Sequence, residues 1–282
     1  MSESQPLDGI RTDTDEAAKV IEMICEGVGI RAVARLTGLD KKTVLRILVS
    51  AGERCAHLLD AKIRNVKASW VQVDEIHTFV FSKAANTVPE EKERGDFFTY
   101  LSVDMSSKLI VNWHTSKRDG ENTLAFMQDL KSRMDGRFQL TTDAFNGYCR
   151  TKTGGVGEVF GDSVDYATEI KVYGYEKIAP YRYAPKVLRI KRQPRLGNPD
   201  MQFATTCHCE RTNLSVRQFT RRFARATLGY SKTLKNLRHA VALFVWHFNY
   251  CRVHSAHGKT PAQVANLTGH QWTIEELLAV TN

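Results

Sequence analysis

After the segment ERCAHLLDAKIRNVKA the hydrophobic pattern of this chain changes period. Before it the spacing is helical. Residues 15–27, DEAAKVIEMICEG, carry Val20, Ile21, Ile24 and Cys25 along one helical face. GIRAVARLTG predicts a second, short helix ended by Gly38. LDKKTVLRILVS starts a third, with Asp40 as N-cap and Val44, Leu45 and Leu48 on one side. Two helices joined by a short glycine-containing turn predict a helix-turn-helix. ERCAHLLDAKIRNVKA itself reads as a helix leading to a linker. Beyond it, SWVQVDEIHTFVF alternates and is rich in β-branched and aromatic residues, which predicts a strand.

The rest of the pattern bounds the fold class. DFFTYLSVD and KLIVNWHTS predict two further strands joined by a turn at Met105, Ser106 and Ser107. GENTLAFMQDLKSRMDG predicts an amphipathic helix with Leu124, Met127, Leu130 and Met134 inward, and RFQLTTDAF a short strand ending at Asp143. Three strands, a helix and a strand imply a mixed α/β sheet with helices on its faces. Residues 150–200 are less regular, with TGGVG, a candidate strand ATEIKVYGY and the basic run APKVLRIKRQPRLGNP. Residues 206–228 and 233–251 predict two long helices. Short helices follow Thr260-Pro261 and surround TIEELLAV.

The net charge of +9 favours a polyanionic partner, nucleic acid or an anionic membrane, over a merely basic surface. The longest apolar run, AVALFVWHF, is far short of the roughly 20 residues a membrane span needs. MSESQPLDG lacks the layout of a signal peptide, so the expectation is a cytoplasmic protein without membrane association, its six cysteines mostly reduced. No CxxC pair occurs, which argues against a zinc ribbon.

Candidate chemistry lies in carboxylates. Asp74 follows the alternating Val71 and Val73. Neighbours on a strand point to opposite faces, so Asp74 and Glu75 are not expected to share a site. Asp143 sits where a strand ends, the place where ligands gather in α/β sheets. Asp104, in SVDMSS, looks like the first residue of a turn. Glu210 lies in TTCHCERTNL and begins a helix with Asn213, Arg217 and Arg221 following on the same side, and Leu214, Phe219 and Phe223 opposite. The stripe is either a solvated face or a holder of phosphate beside a metal. Cys207 and Cys209 alternate around His208 without a second ligand pair, so they read as small packing residues, a reactive thiol being the alternative. Lys41 and Lys42, with Thr43 and Arg46 beside them, open a helix. Cations there are unfavourable unless that end faces phosphate. His254 and His257 flank Arg252 in a loop, either contacting phosphate or capping a helix end.

The segments GVGIRAVARLTGLDKKTVLRIL, VDEIHTFV, LTTDAFNGY, GNPD, ERTNLSVRQFTRRFARATLGYSK and HFNYCRVHSAHGKTPAQVA together resemble, in order and over most of the chain, DDE transposases of insertion sequences, closest to the IS1 family. The resemblance implies a ribonuclease-H-like catalytic core with Asp74, Asp143 and Glu210 as catalytic residues and ligands of two Mg²⁺ ions, for which Mn²⁺ can substitute. It implies residues 1–65 as a helix-turn-helix DNA-binding domain, 66–252 as the catalytic domain with an insertion at about 150–200, and 253–282 as a tail with short helices. Lys41, Lys42, Thr43, Arg46, Asn213, Arg217 and Arg221 are the expected DNA contacts. Double-stranded DNA, as element ends and target, is the expected partner of a homo-oligomer, at least a dimer, in a prokaryotic nucleoid. The chain departs from the family in lacking an N-terminal cysteine zinc ribbon and in its longer gap between Asp143 and Glu210. A nuclease of the same fold that does not join ends, or a non-catalytic helix-turn-helix regulator, are the alternatives.

Overall fold

A computed structural model of the chain describes residues 7, 9–88, 90–149, 155–174 and 186–280. Three helices come first: α1 (Thr14–Cys25), α2 (Ile30–Thr37) and α3 (Lys41–Lys62). The Asp40 carboxylate accepts from the Lys42 amide at 2.7 Å and caps α3 as expected. Gly38, at φ +76°, ends α2 in the left-handed conformation that glycine adopts without strain. The two helical segments LDKKTVLRILVS and ERCAHLLDAKIRNVKA form one helix: α3 runs unbroken through Gly52, whose backbone lies directly against another helix.

Strands β1 (Trp70–Val80), β2 (Gly95–Asp104) and β3 (Ile110–Ser116) form an antiparallel meander. Helix α4 (Gly120–Arg133) then crosses over to β4 (Phe138–Thr142), which lies parallel to β1. Two short helices, α5 (Asn146–Cys149) and α6 (Val156–Phe160), lead to β5 (Val164–Gly174), parallel to β4. Strand β6 (Lys186–Leu196) returns antiparallel on the edge. The sheet order is β3-β2-β1-β4-β5-β6. A three-strand meander continued by parallel crossover strands on the far side of β1 is the ribonuclease-H-like arrangement, and helices cover its faces. Asp104 does make the β2–β3 turn, accepting from the Ser106 and Ser107 amides at 3.2 and 2.8 Å.

The C-terminal part comprises α7 (Cys207–Phe219), α8 (Leu234–Trp246), α9 (Pro261–Val264) and α10 (Ile274–Ala279). Both short helices open with capping boxes, Thr260 with Gln263 and Thr273 with Glu276. The first of the two long helices expected here is shorter than its sequence pattern suggests. It stops at Phe219, where Thr220 turns extended, and leaves Leu228 exposed in the loop beyond. The N-terminal helices share one apolar core with this part. Helix α3 packs on α8, and Arg54 donates to the Leu278 carbonyl at 2.8 Å. The contact is close: a Cβ on Gly52 would lie 2.3 Å from the His239 carbonyl oxygen.

Within the expected insertion, residues 150–154 and 175–185 lie outside the described residues. The candidate strand is β5. The basic run that follows is also a strand, β6, exposed along nearly its whole length. Pro194 is tolerated there because an edge strand has one side without ladder bonds. No helix among the described residues is long and apolar enough to cross a membrane.

Candidate active site

Pairing between β1 and β4 ends at Gln72 and Thr141. Asp74 therefore lies two residues past the last β1 position paired with β4, and Asp143 follows β4 directly. Both emerge at the same sheet edge, beside the first residues of β5 to pass the end of β4. Helix α7 is seated on this edge by two side chains. The Gln72 carboxamide oxygen accepts from the His208 and Cys209 amides at 2.8 and 3.1 Å. Glu169 on β5 accepts from the amide and hydroxyl of Thr206, each at 3.2 Å. Together they satisfy donors that a helix N-terminus leaves free. They also put Glu210, in the first turn, over the ends of β1 and β4.

The result is a cavity of about 680 Å³ that Asp74, Asp143 and Glu210 all line, with Arg118, Glu169 and Lys171 among its other walls. The three carboxylates singled out from the sequence are thus brought together. Beside it, Asp74, Glu75 and Asp143 each offer a carboxylate oxygen within 4.8 Å of the others. The expectation that Asp74 and Glu75 could not meet is corrected here. Past Gln72, β1 has no neighbour on the β4 side, so side chains from both faces reach the opening. Glu210 stands slightly apart, paired with Lys171 and accepting from the Thr206 hydroxyl at 2.9 Å.

Packing this much negative charge together shifts proton affinities. Burial, then the charges of Glu75 and Asp143, push the Asp74 carboxyl up to about 7. The Glu75 carboxyl is also raised, by burial and then Asp143; Arg118 and a 2.8 Å hydrogen bond from the Tyr148 hydroxyl pull the other way. Arg118 bridges Glu75 and Asp143, lying 3.5 Å from the latter, with its guanidinium 4.0 Å from the Phe145 ring centroid. Glu75, Arg118, Tyr148, Glu169 and Lys171 were not singled out from the sequence. Only the tandem Asp74-Glu75 offered a signal for any of them.

Asn213 points back into the protein. It is buried, and its amide donates to Asp74 Oδ2 at 2.8 Å, so it orients a carboxylate. Arg217 is half-buried beside the same cavity edge and donates to the Phe223 carbonyl at 3.3 Å. Arg221 does not share their face, because α7 has already ended; its stem lies against Gly29 and Gly229. Leu214 is exposed, and Thr212 and Val216 are buried in its place. Lys41, Lys42 and Arg46 are exposed at the start of α3 and Thr43 is half-buried there. None of the four lines the acidic cavity. Arg46 donates to the Gly9 carbonyl at 2.7 Å.

The donor set suits a hard cation. Asp74, Glu75 and Asp143 lie within reach of one another, the first two with proton affinity raised first by burial and then by neighbouring charge, and such oxygen donors could hold a metal ion. Thiols take no part: Cys209 is buried with its sulfur 3.5 Å from the Leu101 carbonyl, and Cys207 is exposed.

No protein-family model matches the chain, and no curated protein matches it. Several solved structures are similar to it, two of which follow. One is a chain from a simian T-cell lymphotropic virus intasome in complex with PP2A regulatory subunit B56 gamma, at 15% identity and TM-score 0.40, covering 88% of this chain and 74% of that one. The other is from a piggyBac transposase synaptic complex with hairpin DNA, at 9% identity and TM-score 0.41, covering 91% and 70%. At these scores superposition adds nothing to the fold assignment, which rests on the strand order.

Proposed function

We propose that this chain is a DNA transposase of the DDE type, related to those of IS1-family insertion sequences, that cleaves element ends and joins them to target DNA. The observation that carries the reading is the single cavity at the ends of β1 and β4, into which Asp74, Asp143 and Glu210 all project. In this reading the three carboxylates hold two Mg²⁺ ions. When bound, these supply Lewis acidity and charge neutralisation for phosphodiester attack and departure. A water oxygen attacks phosphorus and the bond to the 3′ oxygen breaks. The freed 3′-hydroxyl then attacks a target phosphorus, losing its proton to solvent, as the bond from that phosphorus to the target strand's 3′ oxygen breaks and that oxygen leaves as a hydroxyl, with no covalent protein–DNA intermediate.

The chain's own residues divide the remaining work. Asn213 fixes the Asp74 carboxylate, Tyr148 and Arg118 fix Glu75, and Gln72 with Glu169 fixes the helix that carries Glu210. Arg217, at the cavity edge, is placed to meet the phosphate next to the scissile bond, its planar fork suiting phosphate oxygens. Residues 1–65 recognise the element ends through Lys41, Lys42, Thr43 and Arg46 at the start of α3. Residues 66–252 perform the chemistry, and 253–282 form the tail. Arg221 serves as a peripheral phosphate contact, and the active complex is at least a dimer. The test is a strand-transfer assay on the element's own ends with Mg²⁺ and with Mn²⁺. Cleaved and joined products are expected. Cleavage without joining would make the protein a nuclease, and binding without either would make it a regulator.

A further inference from the structure

Beyond the last turn of α7 the chain doubles back along β1. The Thr78 hydroxyl donates to the Arg222 carbonyl at 3.2 Å, and the Phe81 amide donates to the Ser231 carbonyl at 2.9 Å. The segment fastened in this way and the far end of β1 wall a cavity of about 470 Å³. We propose that this cavity binds a small free phosphate monoester with an aromatic body, of the nucleoside monophosphate class. None of the carboxylates of the candidate active site lines it. Its affinity for a free nucleotide is independent of the DNA chemistry proposed above.

Arg222 is the decisive residue. It lines the cavity, yet it is only 9% exposed. Among the described residues, nothing accepts a hydrogen bond from its guanidinium or pairs with its charge, and its Nε is fully enclosed without a partner. Burial pushes its proton affinity down to about 10, and no neighbouring acid offsets the effect. A buried cation without a partner destabilises a fold. One that faces a cavity is accounted for when an anion entering from outside completes it.

The other charges around the cavity have the same sign. Arg225 and Lys83 are exposed on its wall, and among the described residues neither side chain makes a hydrogen bond or ion pair. Arg217 is half-buried and donates to the Phe223 carbonyl. Its proton affinity is lowered by burial and then by Arg225, against a smaller pull from Asp74. No carboxylate lines the cavity. Asp96 approaches the wall only at His77, at 3.5 Å, and accepts from the Ala84 amide at 3.2 Å.

Several convergent cations favour a dianion over a single carboxylate, and the planar arginine fork suits phosphate oxygens. The remaining walls select the body of the ligand. The Phe79 and Tyr230 rings stand 4.7 Å apart, tilted by 38°, with Phe223 and the exposed Leu228 also lining the space. Aromatic and apolar walls with a few convergent charges characterise small-molecule sites, whose volumes run from roughly 300 to 1,000 Å³. A flat base can lie against these rings while its phosphate meets Arg222. A duplex backbone is a poorer fit. Its phosphates lie on a stiff cylinder and meet exposed cations, whereas Arg222 is reached only by a group that enters the recess.

The test is isothermal titration calorimetry of the full-length protein with adenosine 5′-monophosphate, without divalent metal. The wild type should bind it, and adenosine without the phosphate should bind at least about tenfold more weakly. Arg222→Gln should weaken the nucleotide by about 10–100-fold, the range for hydrogen bonds to a charged group. Arg222→Lys should recover part of that loss, having the charge without the fork. Lys19→Gln, at an exposed position on α1, should change nothing. Nucleotide at about a hundredfold excess over its Kd should raise the melting temperature of the wild type by on the order of 5 °C and leave that of Arg222→Gln in place. If Arg222→Gln does not fold, Lys83→Gln with Arg225→Gln takes its place and should weaken binding about 3–10-fold. A wild type that binds no nucleotide overturns the proposal. So does a folded cavity variant that binds it as the wild type does, or adenosine bound as tightly as the nucleotide. A duplex with 5′-phosphorylated ends that displaces the nucleotide better than the same duplex without them assigns the recess to a DNA end and likewise overturns a free-ligand site. Binding is read without cleavage, so loss of the transposase reading leaves this site standing, and loss of this site leaves that reading intact.

Discussion

Asp74→Asn should make the protein more stable while destroying the chemistry proposed for it. In the native state the Asp74 carboxyl is raised from its ordinary 3.8 to about 7, first by burial and then by the charges of Glu75 and Asp143. A raised acid binds its proton more tightly folded than unfolded. Native stability is therefore lost as pH rises between about 4 and 7, and the full cost is present above that window. At 1.36 kcal/mol per tenfold change in proton affinity the cost is about 4 kcal/mol. The carboxylate is open to the cavity on one side, and solvent screening reduces this to about 2–4 kcal/mol. Asparagine carries no charge and can still accept from Asn213. The variant should melt higher by on the order of 5–10 °C at pH 8. The difference should vanish near pH 4. Millimolar Mg²⁺ should raise the melting temperature of the wild type more than that of the variant. Thermal melting across pH, with and without Mg²⁺, checks all three. Equal melting temperatures at pH 8, or a gain that persists unchanged to pH 4, would refute the view that uncompensated charge at Asp74 strains the fold.

Asp143→Asn and Glu210→Gln should each abolish cleavage and joining while leaving duplex affinity within about twofold, read from gel assays beside binding curves; a Glu210→Gln protein that joins ends at the wild-type rate removes that residue from the site. Cys207→Ser with Cys209→Ser should keep metal-dependent activity and contain no zinc by elemental analysis, with stability lowered by about 1–2 kcal/mol because Cys209 is buried. Gly52→Ala should destabilise the whole protein by about 3 kcal/mol or more, since the added carbon meets the His239 carbonyl; a single unfolding transition at lower temperature is expected, and a separate early transition of the N-terminal helices would show that they fold apart from the core. Lys41→Gln with Lys42→Gln should erase the footprint on element ends and spare cleavage of ends supplied at high concentration; an unchanged footprint takes the start of α3 out of end recognition.

Asp143 stands where β4 ends, a position that can be read locally, whereas Asp74 lies inside β1 and reaches the cavity because pairing with β4 stops at Gln72. Glu210 was legible through its helix. What could not be read was the partnership around them. Asn213 looked like part of a phosphate-facing stripe because a helical wheel does not say which neighbour the stripe meets. Glu75 was set aside by strand alternation, a rule that holds inside a ladder and fails where β1 runs past its neighbour. Strand β6 escaped notice because it is exposed on both faces and so shows no alternation. The length of α7 was overestimated because the apolar spacing of Phe219 and Phe223 continues past Thr220, where the backbone turns extended. The continuity of α3 does not show in the pattern, because LDKKTVLRILVS and ERCAHLLDAKIRNVKA each carry a helical signal of their own.

Gln72 has a consequence for the life of the chain before it is finished. Its side chain seats the helix bearing Glu210, and Asn213 on that helix holds Asp74 in return. The two halves of the cavity are 138 residues apart at Glu210 and Gln72, so the cavity cannot close until about three quarters of the 282 residues have left the ribosome. A nascent chain that has made all of β1 to β5 holds its acids loosely, repelling one another, with no helix to gather them. Such a chain, still tethered near nucleic acid, would be unable to cut it. Ribosome-stalled chains ending before and after α7 would show this directly, since only the longer should acquire a protected amide at Asp74, which meets Cys209 on that helix.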